Sequence, residues 1–395
     1  MQIHILMPIL SLCGVSWSSD GTDNLTENVA ESTEEASVES VATLRPWAQL
    51  QTWATLMDQD RDVQADPASY GDPEHDVGFL LRRARLGLEG DIALQRDAAS
   101  GASVDYAISV GVASPYDAIS PSESDVALVD AFSRVTLPSG GYTSSLSVGI
   151  QRVPFHREGL MSSVDLLFQE RSVGGAWIEP GRETGAVLGQ QLSLGDGNGS
   201  LWFRGGVYNG NQRWDGDNDP GLMLSGRLEY LQGDAYRTWS ASREGAFGLG
   251  VAAQQNQQLA TASSGLNADM LARWRGWCVQ AEFQTDTTEP ADTLSAPAAV
   301  SSTTTRVGYM GQLSHFLVLN GVSGLEIGAR FATLDDATHR DDLGDVWTVH
   351  GGLTWREVLP FVDVGVGYIA RGEPASADRP NDSLRMWTQL RPVLF

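Results

Sequence analysis

Apolar and polar residues alternate along most of this chain with a period of two. That is the period of a β-strand, in which successive side chains point to opposite faces. In "WCVQAEFQ" (277–284), Trp277, Val279, Ala281 and Phe283 form one face and Cys278, Gln280, Glu282 and Gln284 the other. In "GLNADMLARWRG" (265–276), Leu266, Ala268, Met270, Ala272 and Trp274 oppose Asn267, Asp269, Leu271, Arg273 and Arg275. "LEIGARF" (325–331), "DVWTVHGGLTW" (345–355), "FVDVGVGY" (361–368), "VDYAISVGV" and "LMLSGRLEYL" repeat the pattern. About sixteen such segments follow Trp47, each near the roughly 9–11 residues that a tilted membrane strand needs. A two-faced strand can bury its oily side in a soluble sandwich. It can also turn that side to lipid, in a barrel whose wet side faces a channel.

The connections separate these two cases. They alternate between long, near 58–77, 115–123, 154–185, 209–219, 254–264, 287–303, 334–344 and 372–382, and short, such as "PSGGYT", "GDGNG", "RGW", "NGVSG" and "REVLP". Two of the inner connections are broader, around 91–101 and 232–244. Outer-membrane barrels have long outer loops and short periplasmic turns, whereas a sandwich has no reason to sort loop length by parity. The expected fold is therefore all-β: a 16-stranded antiparallel transmembrane barrel over 47–395. The terminal aromatic, Phe395, suits the end of a barrel strand, although its register with the preceding residues is imperfect.

Composition narrows the chemistry. The net charge of -24 disfavours a nucleic-acid partner, because phosphate contacts need a basic face. All 26 strong bases are arginine, which excludes P-loop, Schiff-base and Ser-x-x-Lys chemistry. The apolar run "IHILMPILSLCGV" has the length of a signal-peptide core, so 1–19 reads as a leader, with lipidation at Cys13 a weaker reading. Residues 20–46 are polar and acidic and read as a disordered spacer. With Cys13 in the leader, Cys278 stands alone, so an intrachain disulfide and a Cys-based metal site are excluded.

Two longer stretches, "LLRRARLGLEGDI" (80–92) and "IQRVPFHREGLMSSVDLLFQERS" (150–172), are followed by "GVYNG" (206–210). Together they resemble the phosphate-selective porin O and P family. The shared features are an Arg-rich second strand ending in Gly-x-Glu-Gly, a Pro-Phe followed by a Glu, a small-residue pair, and Glu-Arg-Ser. The resemblance implies a bacterial outer-membrane porin, usually trimeric, without a cofactor. It also implies a long third loop folded into the lumen and transport of anions, typically phosphate or polyphosphate. Phosphate specificity in that family leans on lysines together with an arginine ladder, and this chain has no lysine. The family therefore carries the fold better than the substrate.

Extending the alternation places Arg83, Arg85, Arg134, Arg204, Arg227, Arg273, Arg275, Arg306, Arg330 and Arg385 inward as candidate pore-lining, anion-binding residues. Inward acids are Glu89, Asp105, Asp130, Glu229, Asp269, Glu282, Glu326 and Asp363. Physics enforces the parity, since an arginine facing lipid at the midplane costs roughly 2–4 kcal/mol. Arg82 and Arg152 break it and are expected at a membrane edge. An arginine track can hold oxyanions, because guanidinium is always charged and forks onto them. The competing reading pairs inward arginines and acids into a structural network. The loop 154–185 carries Arg157, Arg171 and Arg182 beside Glu158, Asp165, Glu170, Glu179 and Glu183, and by resemblance it is the constriction; the alternative is an outer cap.

Other signals are weak. Asp215, Asp217 and Asp219 space like the start of a calcium loop, but Pro220 replaces the turn glycine. The histidines lack metal-ligand spacing, and no Gly-x-Ser-x-Gly elbow is present. Trp274 and Trp277 flank a tight turn, as a periplasmic girdle would. The expectation is a non-enzymatic porin that passes small hydrophilic solutes, anions among them. A closed barrel used as an anchor or scaffold and a secreted β-rich binding protein remain alternatives.

Overall fold

A computed structural model describes residues 42–57, 78–93, 101–113, 126–168, 170–195, 199–210, 221–240, 243–258, 261–290, 302–339, 345–372 and 382–390. Its strands in chain order are β1 (Arg45–Met57), β2 (Gly78–Ala93), β3 (Ser103–Ala113), β4 (Val126–Ser139), β5 (Tyr142–Arg152), β6 (Arg182–Leu194), β7 (Gly199–Tyr208) and β8 (Met223–Gln232). The second half comprises β9 (Ala246–Gln257), β10 (Thr261–Trp274), β11 (Trp277–Pro290), β12 (Thr304–Asn320), β13 (Ser323–Asp335), β14 (Val346–Leu359), β15 (Val362–Gly372) and β16 (Ser383–Leu390). Each strand pairs antiparallel with its sequence neighbours, and β1 pairs with β16 to close the barrel. At the seam Gln51 faces Gln389 and Trp53 faces Trp387. Closure leaves no strand edge unpaired, the condition for a sheet in hydrocarbon.

Burial is inverted relative to a soluble protein. On β14, Trp347, Val349 and Trp355 are exposed, each above 40%, while Thr348, His350 and Thr354 between them are buried. On β11, Trp277, Val279 and Phe283 are exposed and Cys278, Gln280, Glu282 and Gln284 are buried. A polar interior inside an apolar exterior suits a hydrocarbon solvent, so the oily face is the lipid face.

On one side five of the seven connections, those after β4, β6, β10, β12 and β14, are two to four residues long. Between β10 and β11 both turn residues, Arg275 (φ 52°) and Gly276 (φ 91°), have positive φ, as a two-residue hairpin turn requires. A Cβ on Gly276 would also meet the Phe316 carbonyl oxygen at 2.7 Å. Trp274 and Trp277 flank this turn, exposed.

Three features depart from the expected organisation. The sheet begins before Trp47: Arg45 opens β1, Ala42 bridges Ile92, and the Thr43 amide donates to the Asp91 carbonyl, so 42–46 are paired rather than spacer. The expected long connection at 254–264 is instead a short one, because β9 runs to Gln257 and β10 starts at Thr261. A bulge between β1 and β2 pairs Gln51 with Arg83 and Thr52 with Leu81, leaving Arg82 as the extra residue. The leader (1–19), the spacer up to 41, the Asp215–Asp219 stretch and Phe395 lie outside the described residues.

Candidate functional site

The connection 153–181 carries two short helices, α1 (Arg157–Leu160) and α2 (Val173–Trp177). Its side chains meet the inner faces of β1, β2 and β8–β14, so it lies inside the barrel rather than over it. Phe155, Met161, Leu166, Leu167 and Phe168 are all buried. Gly174 of α2 approaches the wall so closely that a Cβ there would lie 2.9 Å from Gly308 Cα on β12 and 3.0 Å from the Thr333 carbonyl oxygen on β13. The helix caps are local: His156 Nδ1 accepts from the Gly159 amide and Ser172 Oγ from the Gly175 amide.

Charged pairs hold the loop to the wall. Arg157 donates to Asp269 on β10 (2.9 Å). Arg227 on β8 grips the same carboxylate with two bonds (2.6 and 2.9 Å), bonds Glu229 (3.1 Å), and donates to the Phe155 carbonyl (2.8 Å). The Glu158 carboxylate accepts from the Ser172 amide (2.8 Å) and hydroxyl (2.6 Å) and pairs with Arg330 on β13 (3.4 Å). Arg356 on β14 bonds Glu326 (2.8 Å) and Asp363 (3.3 Å) and reaches the loop carbonyls of Val164 and Leu166. Arg82 and Arg83 both bind Glu170, with Arg82 Nε at 3.0 Å. The β1–β2 bulge makes this clamp possible by turning two consecutive arginines inward. Arg82 is thus buried in the lumen, not set at a membrane edge. Arg152 also turns in, donating to the carbonyls of Gly159 (2.6 Å) and Met161.

Among the described residues eight arginines are buried (Arg82, Arg83, Arg157, Arg227, Arg273, Arg330, Arg356, Arg385), and eight acids are buried with them (Glu158, Glu183, Glu229, Asp269, Glu282, Asp286, Glu326, Asp363). Of these wall residues, Arg82, Arg83, Arg227, Arg330 and Arg356 bond the loop directly, and removing one partner of such a buried pair is what costs energy.

The rest of the inner wall is less covered. Arg85 (β2), Arg134 (β4), Arg182 (β6) and Arg204 (β7) are only half-buried, as are Asp105 and Asp130. Arg182 bonds Asp130 at 2.8 Å, and Asp130 also feels the charges of Arg152 and Arg85. Arg134 feels both Asp105 and Arg204. Arg204 reaches Glu229 and the Tyr236 hydroxyl (3.3 Å). Arg171 pairs with Glu179 (2.9 Å).

One expected lumen arginine is placed differently: Arg275 is exposed in the β10–β11 turn, its guanidinium over the Trp274 ring at 4.6 Å. Arg306, near the start of β12, stands in register with the buried Asp286, 3.8 Å away. Arg356 was not among the expected pore residues. Its signal was present, since an outward Trp355 makes its neighbour inward. The broad turn after β8 also enters the interior. Arg237 bonds Asp165 (2.9 Å), and Arg273 donates to the Arg237 carbonyl (2.6 Å). Burial holds the Asp165 carboxyl above its ordinary range, against the pull of Arg237, and likewise raises the Tyr236 phenol against Arg204.

A closed 16-strand barrel, apolar outside and charged inside, with its third long connection folded into the lumen, is an outer-membrane porin: a channel rather than an enzyme. The family model for phosphate-selective porin O and P matches residues 59–282, and the chain belongs to that family. No curated protein matches the sequence. Among solved structures the chain is similar to an anion-selective porin from Comamonas acidovorans (TM-score 0.56, 13% identity, 90% of this chain and 100% of that one). It is similar to the trimer form of OmpT, an outer membrane protein of Vibrio cholerae (TM-score 0.54, 8% identity, 88% and 99%). A third similar structure is Salmonella typhi OmpF in complex with daunomycin (TM-score 0.54, 12% identity, 89% and 97%). At these identities the likeness speaks for the fold. The chain resides in the bacterial outer membrane.

Proposed function

We propose that this porin passes small inorganic and organic anions, phosphate among them, along the half-buried wall formed by β2–β7. The observation that carries the reading is the division of charge inside the barrel. The eight buried arginines are matched by eight buried acids, whereas the half-buried charges of β2–β7 are Arg85, Arg134, Arg152, Arg182 and Arg204 against Glu89, Asp91, Asp105 and Asp130. Glu89 and Asp91, the latter the register partner of Asp105 across β2 and β3, belong to the same wall toward one end, where both lie beside Arg45 (4.0 and 3.7 Å). Guanidinium groups offer forked donors that fit an oxyanion. The loop 153–181, with Arg157, Glu158, Glu170 and Arg171, narrows the bore by occupying the opposite wall. The proposed partners are outer-membrane lipid, the permeating anions and two further copies of the chain, as in the trimer form of the Vibrio OmpT. The leader 1–19 and an acidic spacer before the barrel belong to the same proposal.

The test is the reversal potential of the purified protein in a planar bilayer under a potassium chloride gradient. The expected sign is anion-selective, and Arg134→Glu is expected to move it toward cations. A cation-selective wild type would overturn the anion reading. Absence of any current would favour the closed-barrel alternative.

A further inference from the structure

The connection after β8 is a periplasmic turn by its place in the strand order, yet it does not stay at the rim. Residues 233–240 run into the barrel. Ala235, Thr238 and Trp239 are buried there. The Ala235 carbonyl accepts from Arg157 (3.0 Å), and the Thr238 amide and hydroxyl both donate to the Asp165 carbonyl (3.3 and 3.1 Å). Trp239 packs on Phe316 of β12 with ring centroids 5.7 Å apart, and the Arg356 guanidinium lies 5.5 Å from the Trp239 ring centroid. Arg157 and Asp165 belong to the loop that enters from the outer side. The two segments, entering from opposite mouths, therefore meet and bond inside the lumen.

We propose that the turn at 233–240 is a second jaw of the constriction. Together with the loop 153–181 it closes the lumen against β8–β14 and confines permeating solute to the opposite wall. Three observations support a built device rather than a stray turn. It is anchored from below, because Arg273 on β10 donates to the carbonyls of Arg237, Trp239 and Glu244. It is joined from above by the Arg237–Asp165 pair at 2.9 Å. It also reaches the open side, where Tyr236 Oη bonds both Glu229 and Arg204, the latter one of the half-buried arginines of the proposed anion path. The bore is then set by both segments, and shortening either one widens it.

This inference rests on the open-porin reading, and the experiment separates the two. Deleting 234–240 leaves six residues, Gly233 and 241–245, to join β8 to β9. Heat-modifiable gel migration checks that the barrel is intact, and single-channel conductance in a planar bilayer is the readout. The deletion is expected to raise single-channel conductance above that of wild type, because it widens the bore. Conductance unchanged from wild type overturns the proposal. A silent wild type with a conducting deletion variant overturns the open-porin reading and keeps this one, and silence from both overturns both. If the deletion variant does not fold, Arg237→Cys decides. Arg237 is 41% exposed, whereas the native Cys278 is buried. An anionic methanethiosulfonate is expected to cut the current of this variant and to leave wild type unchanged. No effect on the variant overturns the proposal.

Discussion

Arg356 shows what a single buried charge does in this lumen. It is fully buried, bonds two carboxylates on neighbouring strands, and holds the loop carbonyls of Val164 and Leu166. Replacing it with alanine leaves Glu326 and Asp363 buried beside each other without their cation. Breaking a buried pair in this way costs about 3–5 kcal/mol. Arg356→Ala is therefore expected to lower the temperature at which the folded band disappears from an unboiled gel. Arg356→Lys is expected to recover only part of that loss, because a point charge cannot fork onto Glu326 and reach Asp363 and two carbonyls together. Equal melting of wild type and Arg356→Ala would show that the loop does not depend on this anchor. Arg134 is the contrasting case: it is half-buried on the open wall, so its substitution is expected to change ion preference more than stability.

At the scale of elements, the loop 153–181 depends on close approach as much as on charge. Gly174 sits where the loop touches β12 and β13, with no space for a side chain. Gly174→Val is expected to push α2 off the wall into the open path, lowering conductance while the barrel still migrates as a folded band; unaltered conductance would contradict this seating. How much of these elements the sequence discloses follows from where each lies. The strands were legible because lipid outside and a polar lumen inside impose a period of two. Beyond the bilayer the outward face meets water and the constraint lapses. That is why "QQNQQLATASS" (254–264) reads as a loop although β9 and β10 continue through it. Arg82 was misplaced because a bulge shifts parity by one residue, and nothing in "LLRRARL" marks where the bulge falls. The inward course of 153–181 was expected only from family resemblance, since its alternation is neither helical nor strand-like. The turn at 233–240 carried a fainter signal, two aromatics, Tyr236 and Trp239, within an otherwise polar turn.

For the whole molecule the question is how the proposed anion preference fits a chain of net charge -24. Total charge governs encounter and solubility, but permeation responds to the field inside the bore. Many of the acids fall between residues 20 and 41 and between β1 and β2, such as Asp58, Asp60, Asp62, Asp66, Asp72, Glu74 and Asp76. The buried half of the lumen is balanced. On the proposed path a passing ion meets the half-buried wall, where arginines slightly outnumber acids. Such partly exposed charges are screened over about 10 Å at 0.1 M salt but only about 3 Å at 1 M. With the concentration ratio across the bilayer held constant, the anion preference is expected to fall as mean salt rises from about 0.1 to about 1 M. Arg134→Glu is expected to shift selectivity most at the low end of that range. A preference undiminished at high salt would mean that anions are selected by direct guanidinium contact in a desolvated passage, where screening cannot reach. The loop and the turn that narrow the lumen would then determine selectivity more than the open wall does.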